Sequence, residues 1–162
     1  MAEFKPTFDW LKQRPLCLLA FGFGSGLAPV APGTFGTMAA LPIAFLLVLI
    51  GIDGWILAFL CVALFMWGIR ICNHTEKALG IQDYGGIVWD EMVAMLLILA
   101  FAPFKWNWWL AAFILFRLFD SIKPWPIKWF NRHVHGRFGI RLDNIIAAIM
   151  TLIVLGIAAW II

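Results

Sequence analysis

The sequence predicts an all-α protein: a polytopic membrane helix bundle of about five transmembrane helices, with an N-terminal re-entrant half-helix and a Gly/Pro-rich loop ahead of them. Three observations carry that expectation. Hydrophobic residues fill 64% of the 162 positions against 13% charged, and mean hydropathy is +0.94, values that a domain with a fully hydrated surface does not reach. The apolar residues fall in long runs. Ten Trp and fifteen Phe fit the same setting, because aromatic rings collect at bilayer interfaces and between packed helices. No repeat, linker or low-complexity tail divides the chain, so residues 1–162 are expected to form one domain.

The first apolar run, Leu16 to Phe23, is too short to cross and is expected to dip in and return as a half-helix. A cleaved signal peptide is disfavoured there, since Glu3 and Asp9 are atypical of its basic start and Pro29 and Pro32 follow the small-residue sites. Next comes GFGSGLAPVAPGTFGT, Gly22 to Thr37. Each Gly costs a helix about 1 kcal/mol and each interior Pro about 3, so a loop is predicted, with a helix N-terminus near Thr34 to Thr37. Five spans follow, at roughly 37–52, 54–72, 87–104, 107–122 and 143–162. Each is close to or slightly short of the ~20 residues that a bilayer core requires of an untilted helix.

Charge gives these spans a direction. Lys5, Lys12 and Arg14 precede the half-helix, Arg70 and Lys77 follow the second full span, and Lys123, Lys128, Arg132, Arg137 and Arg141 precede the last. Basic loops stay cytoplasmic, which places these three regions on the cytoplasmic face. The net charge of +3 without a basic stripe excludes a nucleic-acid footprint. Cys17, Cys61 and Cys72 sit in apolar runs with no metal or disulfide spacing and read as inert thiols.

Polar groups then appear where lipid is expected. GIVWDEMVAMLLILAF carries Asp90 and Glu91 into the third span. FRLFDSIKPWPIKWF carries Arg117, Asp120 and Lys123 at the end of the fourth, and GRFGIRLDNIIAAI opens the last with Asp143 and Asn144. A mid-membrane charge costs about 2.5–3.5 kcal/mol on insertion scales, so these groups need partners. All lie on the cytoplasmic side of the proposed topology, where the glycine loop also enters. Arg117, Asp120 and Lys123, three apart, keep near one helical face.

Clustered carboxylates call for a cation, and hard oxygen donors without paired His or Cys favour Mg²⁺ over zinc. Arg and Lys beside them suit a phosphate. Backbone N–H groups of the glycine loop and the following helix N-terminus would add an anion cradle. Irregular backbone at membrane depth is tolerated where it lines a wet cavity, which gives the loop its use.

Together GFGSGLAPVAPGTFGT, GGIVWDE, FRLFDSIKPWPIKWF and HGRFGIRLDN resemble the phosphatidylglycerophosphatase A family of bacterial inner-membrane lipid phosphatases. The likeness runs from about Leu16 to Ala148. It implies a Mg²⁺-dependent enzyme of phospholipid biosynthesis that removes the terminal phosphate of phosphatidylglycerophosphate, giving phosphatidylglycerol and inorganic phosphate at the cytoplasmic side of a multi-pass protein. On this reading Asp90, Glu91, Asp120 and Asp143 hold one or two Mg²⁺. Arg117 and Lys123 clamp the phosphate, Gly33, Thr34, Gly36 and Thr37 offer N–H and O–H donors, and Asp83 and Ser25 support them. Attack by a metal-activated water is expected; a covalent route through Thr34, Ser25 or an Asp is the alternative. The family pattern has an acidic pair where this chain reads Asp143 and Asn144. Asn supplies neither negative charge nor a base, so a chain whose position 144 is catalytic is weakened, by natural variation or by a substrate-trapping change.

Other uses compete with these. Asp120 with Arg117 or Lys123 can be a structural ion pair, Glu91 a helix cap, and the glycine loop a ligand-free connection. Asn73, His74, Glu76 and Asp83 are expected on a solvated amphipathic helix, and His133 and His135 at lipid headgroups. Trp89, Trp106, Trp108, Trp109, Trp125 and Trp129 are expected to mark interfaces. A lipid headgroup phosphotransferase would need a nucleotide pocket that no motif provides. A non-enzymatic ion-pathway or transporter subunit would need polar residues through the whole membrane depth, whereas FLLVLI and LLILAF are bare of them.

Overall fold

The computed structural model describes residues 7–28, 32–80, 86–122, 125, 127–129 and 137–161, with the backbone alone for 137–142. Asp83, Lys123, His133 and His135 lie outside the described residues, so the expectations for them stay as stated. The described residues are helical, without strands. Two short helices open the chain, α1 (Phe8–Lys12) and α2 (Pro15–Ala20), followed by a 3-10 turn at Ser25–Leu27. Five longer helices follow: α3 (Pro32–Leu49), α4 (Gly54–Leu79), α5 (Trp89–Phe101), α6 (Trp106–Ile122) and α7 (Arg137–Ile161).

The five apolar runs thus become five helices that differ most in extent at α3, at α4 and at α7, which starts at Arg137 and not near Asp143. α3 begins at Pro32, so Gly33 to Thr37 are helical and belong to no loop. Proline at the first helical position lacks only an N–H that would have had no intrahelical partner, and packing offsets the two glycines. A Cβ on Gly36 would meet the Val88 side chain at 2.5 Å, so α3 approaches the start of α5 through a position that tolerates no larger residue. At the other end of the series, α4 does not stop near Cys72 but runs on to Leu79, where Gly80 closes it in a left-handed conformation (φ 73°).

That extension explains where the polar connection goes. Leu79 packs with Leu11, Cys17 and Phe21 of the N-terminal segment in a small separate cluster. His74 and Lys77 face out, but Thr75 and Glu76 are buried, Glu76 to 4% exposure. The helix is amphipathic as expected; its Glu76 is not solvated.

α5 is the axis of the bundle. Ten of its thirteen residues are buried, and it touches α3, α4, α6 and α7, as a helix apolar on every side must. Thirteen residues rise about 20 Å, short of the ~30 Å hydrocarbon core. α3, α4 and the Asp143–Ile161 part of α7 are long and apolar enough to cross a membrane. Many large apolar side chains of these helices face outward, among them Leu46, Phe59 and Ile153, a surface suited to lipid and not to water.

Trp89 is a correction to the interfacial assignment. It is only 6% exposed, its Nε1–H donates to the Leu64 carbonyl at 3.0 Å, and a Cβ on Gly68 would collide with its ring. An indole needs a partner when buried, and α4 supplies both the acceptor and the recess. Trp106, Trp125 and Trp129 are exposed. Cys17, Cys61 and Cys72 are free thiols, all buried.

Candidate functional site

The helix ends carrying the polar residues meet at one end of the bundle. Arg117, in the last turns of α6, joins them. Its Nη1 donates to Asp120 Oδ2 at 2.9 Å, one turn along the same helix, and lies 3.7 Å from Glu91 Oε2 on α5. Glu91 in turn faces the start of α3 so closely that a Cβ on Gly33 would overlap its carboxylate. One guanidinium and one helix N-terminus, where the backbone dipole favours an anion, therefore hold Glu91 in place. Both ion-pair contacts are partly buried, so solvent screens them less than a surface pair.

Asp90 and Asp143 are buried, at 7% and 5% exposure, on α5 and α7, which pack together. Burying a carboxylate is costly unless cations or donors compensate it. Asp90, Glu91, Asp120 and Asp143 thus gather toward this end of the bundle, where the Arg117 guanidinium contacts two of them. Among the described residues no three Asp, Glu, His or Cys side chains come close enough together to hold a metal by themselves. Mg²⁺ does not require such a cage: it commonly keeps several waters and takes one or two carboxylates plus substrate phosphate oxygens. Glu91 and Asp120, brought within reach of one guanidinium, fit that donor pattern.

Two polar atoms are left over. Arg117 Nε and Asn144 Oδ1 are buried and make no hydrogen bond among the described residues. Buried polar atoms are nearly always satisfied, so these two are a donor and an acceptor with capacity for a ligand. Other expected donors are engaged locally. Thr37 is fully buried and its Oγ1–H donates to the Gly33 carbonyl at 2.8 Å. Ser25 Oγ–H donates to the Gly22 carbonyl at 2.8 Å, closing its own turn. Gly36 faces Val88. Of the four residues expected to cradle phosphate, Gly33 and Thr34 lie in the first turn of α3, where backbone N–H groups have no intrahelical acceptor.

Sequence reasoning brought Glu91, Arg117 and Asp120 together correctly but missed two things. The 2.8 Å bond from Val88 N–H to the Ala20 carbonyl ties the N-terminal segment to the start of α5, a backbone contact that leaves no mark in side-chain chemistry. Glu76 hid in a stretch whose composition reads as solvated.

The family model for phosphatidylglycerophosphatase A matches residues 18–159. The chain belongs to the phosphatidylglycerophosphatase A family. A phosphatidylglycerophosphatase A of Escherichia coli is 44% identical over 141 residues, covering 86% of this chain and 80% of the relative. One from Haemophilus influenzae is 42% identical over 157 residues, covering 95% and 94%. A protein of Bacteroides thetaiotaomicron named putative phosphatidylinositol-3-phosphatase is 35% identical over 152 residues, covering 90% and 94%. No solved structure matches. Membership of this family makes the chain a phosphatase, and its apolar helices make it a membrane protein.

Proposed function

We propose that the chain hydrolyses the terminal phosphate monoester of phosphatidylglycerophosphate, releasing phosphatidylglycerol and inorganic phosphate, with α3 to α7 spanning a bacterial inner membrane and the site facing the cytoplasm. The names of the Escherichia coli and Haemophilus influenzae relatives support the substrate. The observation that carries the chemistry is Arg117: Nη1 is fixed by Asp120 and Glu91 while Nε is buried with no partner among the described residues. That is a guanidinium oriented by carboxylates with one donor edge left for an oxyanion, and Arg recognises phosphate through such an edge.

In this reading Arg117 binds the terminal phosphate, and the Gly33 and Thr34 amides at the α3 N-terminus face the same oxygens. Lys123, one helical turn beyond Asp120 in sequence, is assigned the second cationic contact. Glu91 and Asp120 would hold Mg²⁺ directly, and Asp90 and Asp143, with the Asn144 carbonyl, would reach it through waters that the ion keeps. When bound, Mg²⁺ supplies neutralising charge for the phosphate oxygens and for the departing glycerol oxygen, and makes a water easier to deprotonate. Water attacks phosphorus opposite the ester oxygen; the P–O bond to glycerol breaks and the glycerol oxygen takes a proton. Arg117 and the α3 amides stay with the phosphate oxygens throughout, where charge accumulates. Basic residues flanking this end favour the cytoplasmic orientation.

The test is phosphate release by purified protein in detergent micelles, with Mg²⁺ or EDTA, from phosphatidylglycerophosphate and from phosphatidylinositol 3-phosphate in parallel. Release from the first that EDTA abolishes supports the proposal. Release confined to the second would replace the substrate with that named for the Bacteroides relative, and release unaffected by EDTA would remove the metal.

A further inference from the structure

We infer that the apolar groove between α3, α4 and α5 seats an acyl chain of the lipid substrate, with Phe23 at its rim beside the phosphate site. The inference rests on the lipid-phosphatase reading and adds to it the part of the protein that recognises the hydrocarbon half of the substrate.

The groove is a cavity of about 310 Å³, and Phe23, Leu47, Leu60, Leu64, Trp89 and Met92 are among its lining residues, all of which are apolar. Phe23 and Leu60 are exposed, so it opens at the protein surface. Apolar surface on a membrane protein meets lipid everywhere; three observations separate this groove from the rest.

The first is continuity with the site. Trp89 and Met92 line the groove, three apart on one face of α5, and the two residues between them are Asp90 and Glu91. A phosphate held at Arg117 and Glu91 therefore lies within about one helical turn of the groove mouth. From there the groove follows α5 as far as Leu96, seven residues or about 10 Å along the axis, away from the phosphate end. A cavity of about 270 Å³ lies at the other end of α5, against Phe101 and Pro103. Ten helical residues, about 15 Å, separate it from Glu91.

The second is that the floor is preformed. The Trp89 ring is fixed by its bond to the Leu64 carbonyl and by the recess at Gly68, so little ordering remains when a chain enters.

The third is Phe23. It has φ 60°, the only positive φ at a non-glycine among the described residues, a conformation rarely tolerated by a bulky side chain. The turn that imposes it is locked. Phe23 N–H donates to the Leu18 carbonyl at 2.9 Å, and a Cβ on neighbouring Gly22 would fall 2.6 Å from Met92 Sδ. The result is an aromatic ring held 55% exposed over the groove, on the loop that also packs against the start of α5. Strain kept at such a rim points to a contact with a ligand.

Two experiments test this together. In the first, phosphatidylglycerophosphate carrying a photoreactive diazirine in one acyl chain is irradiated with the wild-type protein in micelles, and the labelled residues are mapped by mass spectrometry. Phosphatidylcholine carrying the same chain is the comparison. The inference expects labels on groove residues such as Leu47, Leu60 and Leu64 to be several-fold enriched with the phosphomonoester lipid. Equal labelling by both lipids would overturn it, since that is what ordinary surrounding lipid gives. In the second, Leu47→Trp is assayed with long-chain and dihexanoyl phosphatidylglycerophosphate. The long-to-short ratio of kcat/KM should fall about tenfold, the scale of roughly two buried methylenes, while Ile157→Trp on the exposed face of α7 keeps the wild-type ratio. An unchanged ratio in Leu47→Trp would overturn the inference. Wild-type protein that releases no phosphate from either lipid would instead sink the lipid-phosphatase reading.

Discussion

Replacing Gly33 with alanine separates the needs of the site from those of the fold. Gly33 is the second residue of α3, and a Cβ there would overlap Glu91 Oε2 while falling 2.9 Å from Oε1 and 3.0 Å from the carboxyl carbon. The atoms in the way are the far end of a flexible side chain, so the carboxylate can retreat without moving either helix. Alanine in place of glycine in a helix gains up to about 1 kcal/mol. Glu91 loses its position at the α3 N-terminus, an interaction of about 0.3–1 kcal/mol and up to ~2 when partly buried, and its 3.7 Å approach to Arg117. The two effects are of similar size and opposite sign, so stability should shift by no more than about 1 kcal/mol either way. If Glu91 works from that position, kcat/KM should fall about tenfold, since ~1.4 kcal/mol is a factor of ten. The assays are thermal unfolding in detergent and phosphate release from phosphatidylglycerophosphate at saturating Mg²⁺. Unchanged kcat/KM with unchanged Tm would refute the reasoning, because the carboxylate would then have moved at no cost to catalysis.

Three further outcomes follow from the same contacts. Arg117→Lys keeps the charge but removes the Nε edge, and phosphate release should drop by about 10²-fold, the scale of losing one preorganised donor to an oxyanion; protein yield and Tm report whether the Asp120 contact survives. Trp89→Phe removes the indole donation to the Leu64 carbonyl, which keeps its bond within α4, and should cost about 0.5–1.5 kcal/mol in stability, read as a lower Tm. Asn144→Asp creates the acidic pair that the resemblance implies, and kcat at saturating Mg²⁺ should rise above that of the present chain; no gain would mean that position 144 contributes no charge to the reaction.

The helices were legible because each is an apolar run bounded by Gly, Pro or charge, and the site was legible in outline because a charge in such a run needs a partner. What composition could not give was the set of contacts that override local propensity. α3 begins five residues before Thr37, the last expected start, because glycines that weaken a helix in isolation here make room for Val88 and for the Glu91 carboxylate. Trp89 looks like an interfacial aromatic until Gly68, twenty-one residues earlier, is seen to make room for it. α4 runs past Arg70 because its polar end has a protein surface to bury against, near Leu11 and Phe21, and a solvated helix and a packed one have the same periodicity there. The glycine segment was read as a cradle for an anion; in the structure the start of α3 is faced by Glu91, so any phosphate shares that end of the bundle with a carboxylate. Such sharing is what a divalent cation would reconcile.

The proposed Mg²⁺ site requires Glu91 and Asp120 to present oxygen donors to a divalent cation beside Arg117. Electron paramagnetic resonance of Mn²⁺, added in place of Mg²⁺ to the detergent-solubilised protein, measures this without turnover. The wild-type chain should bind Mn²⁺ and show coupling to ³¹P when phosphatidylglycerophosphate is added, and Glu91→Gln and Asp120→Asn should each weaken that binding by at least about tenfold, the scale of removing a charged metal ligand or its support. Wild-type binding that survives both substitutions, or ³¹P coupling that never appears, would contradict it.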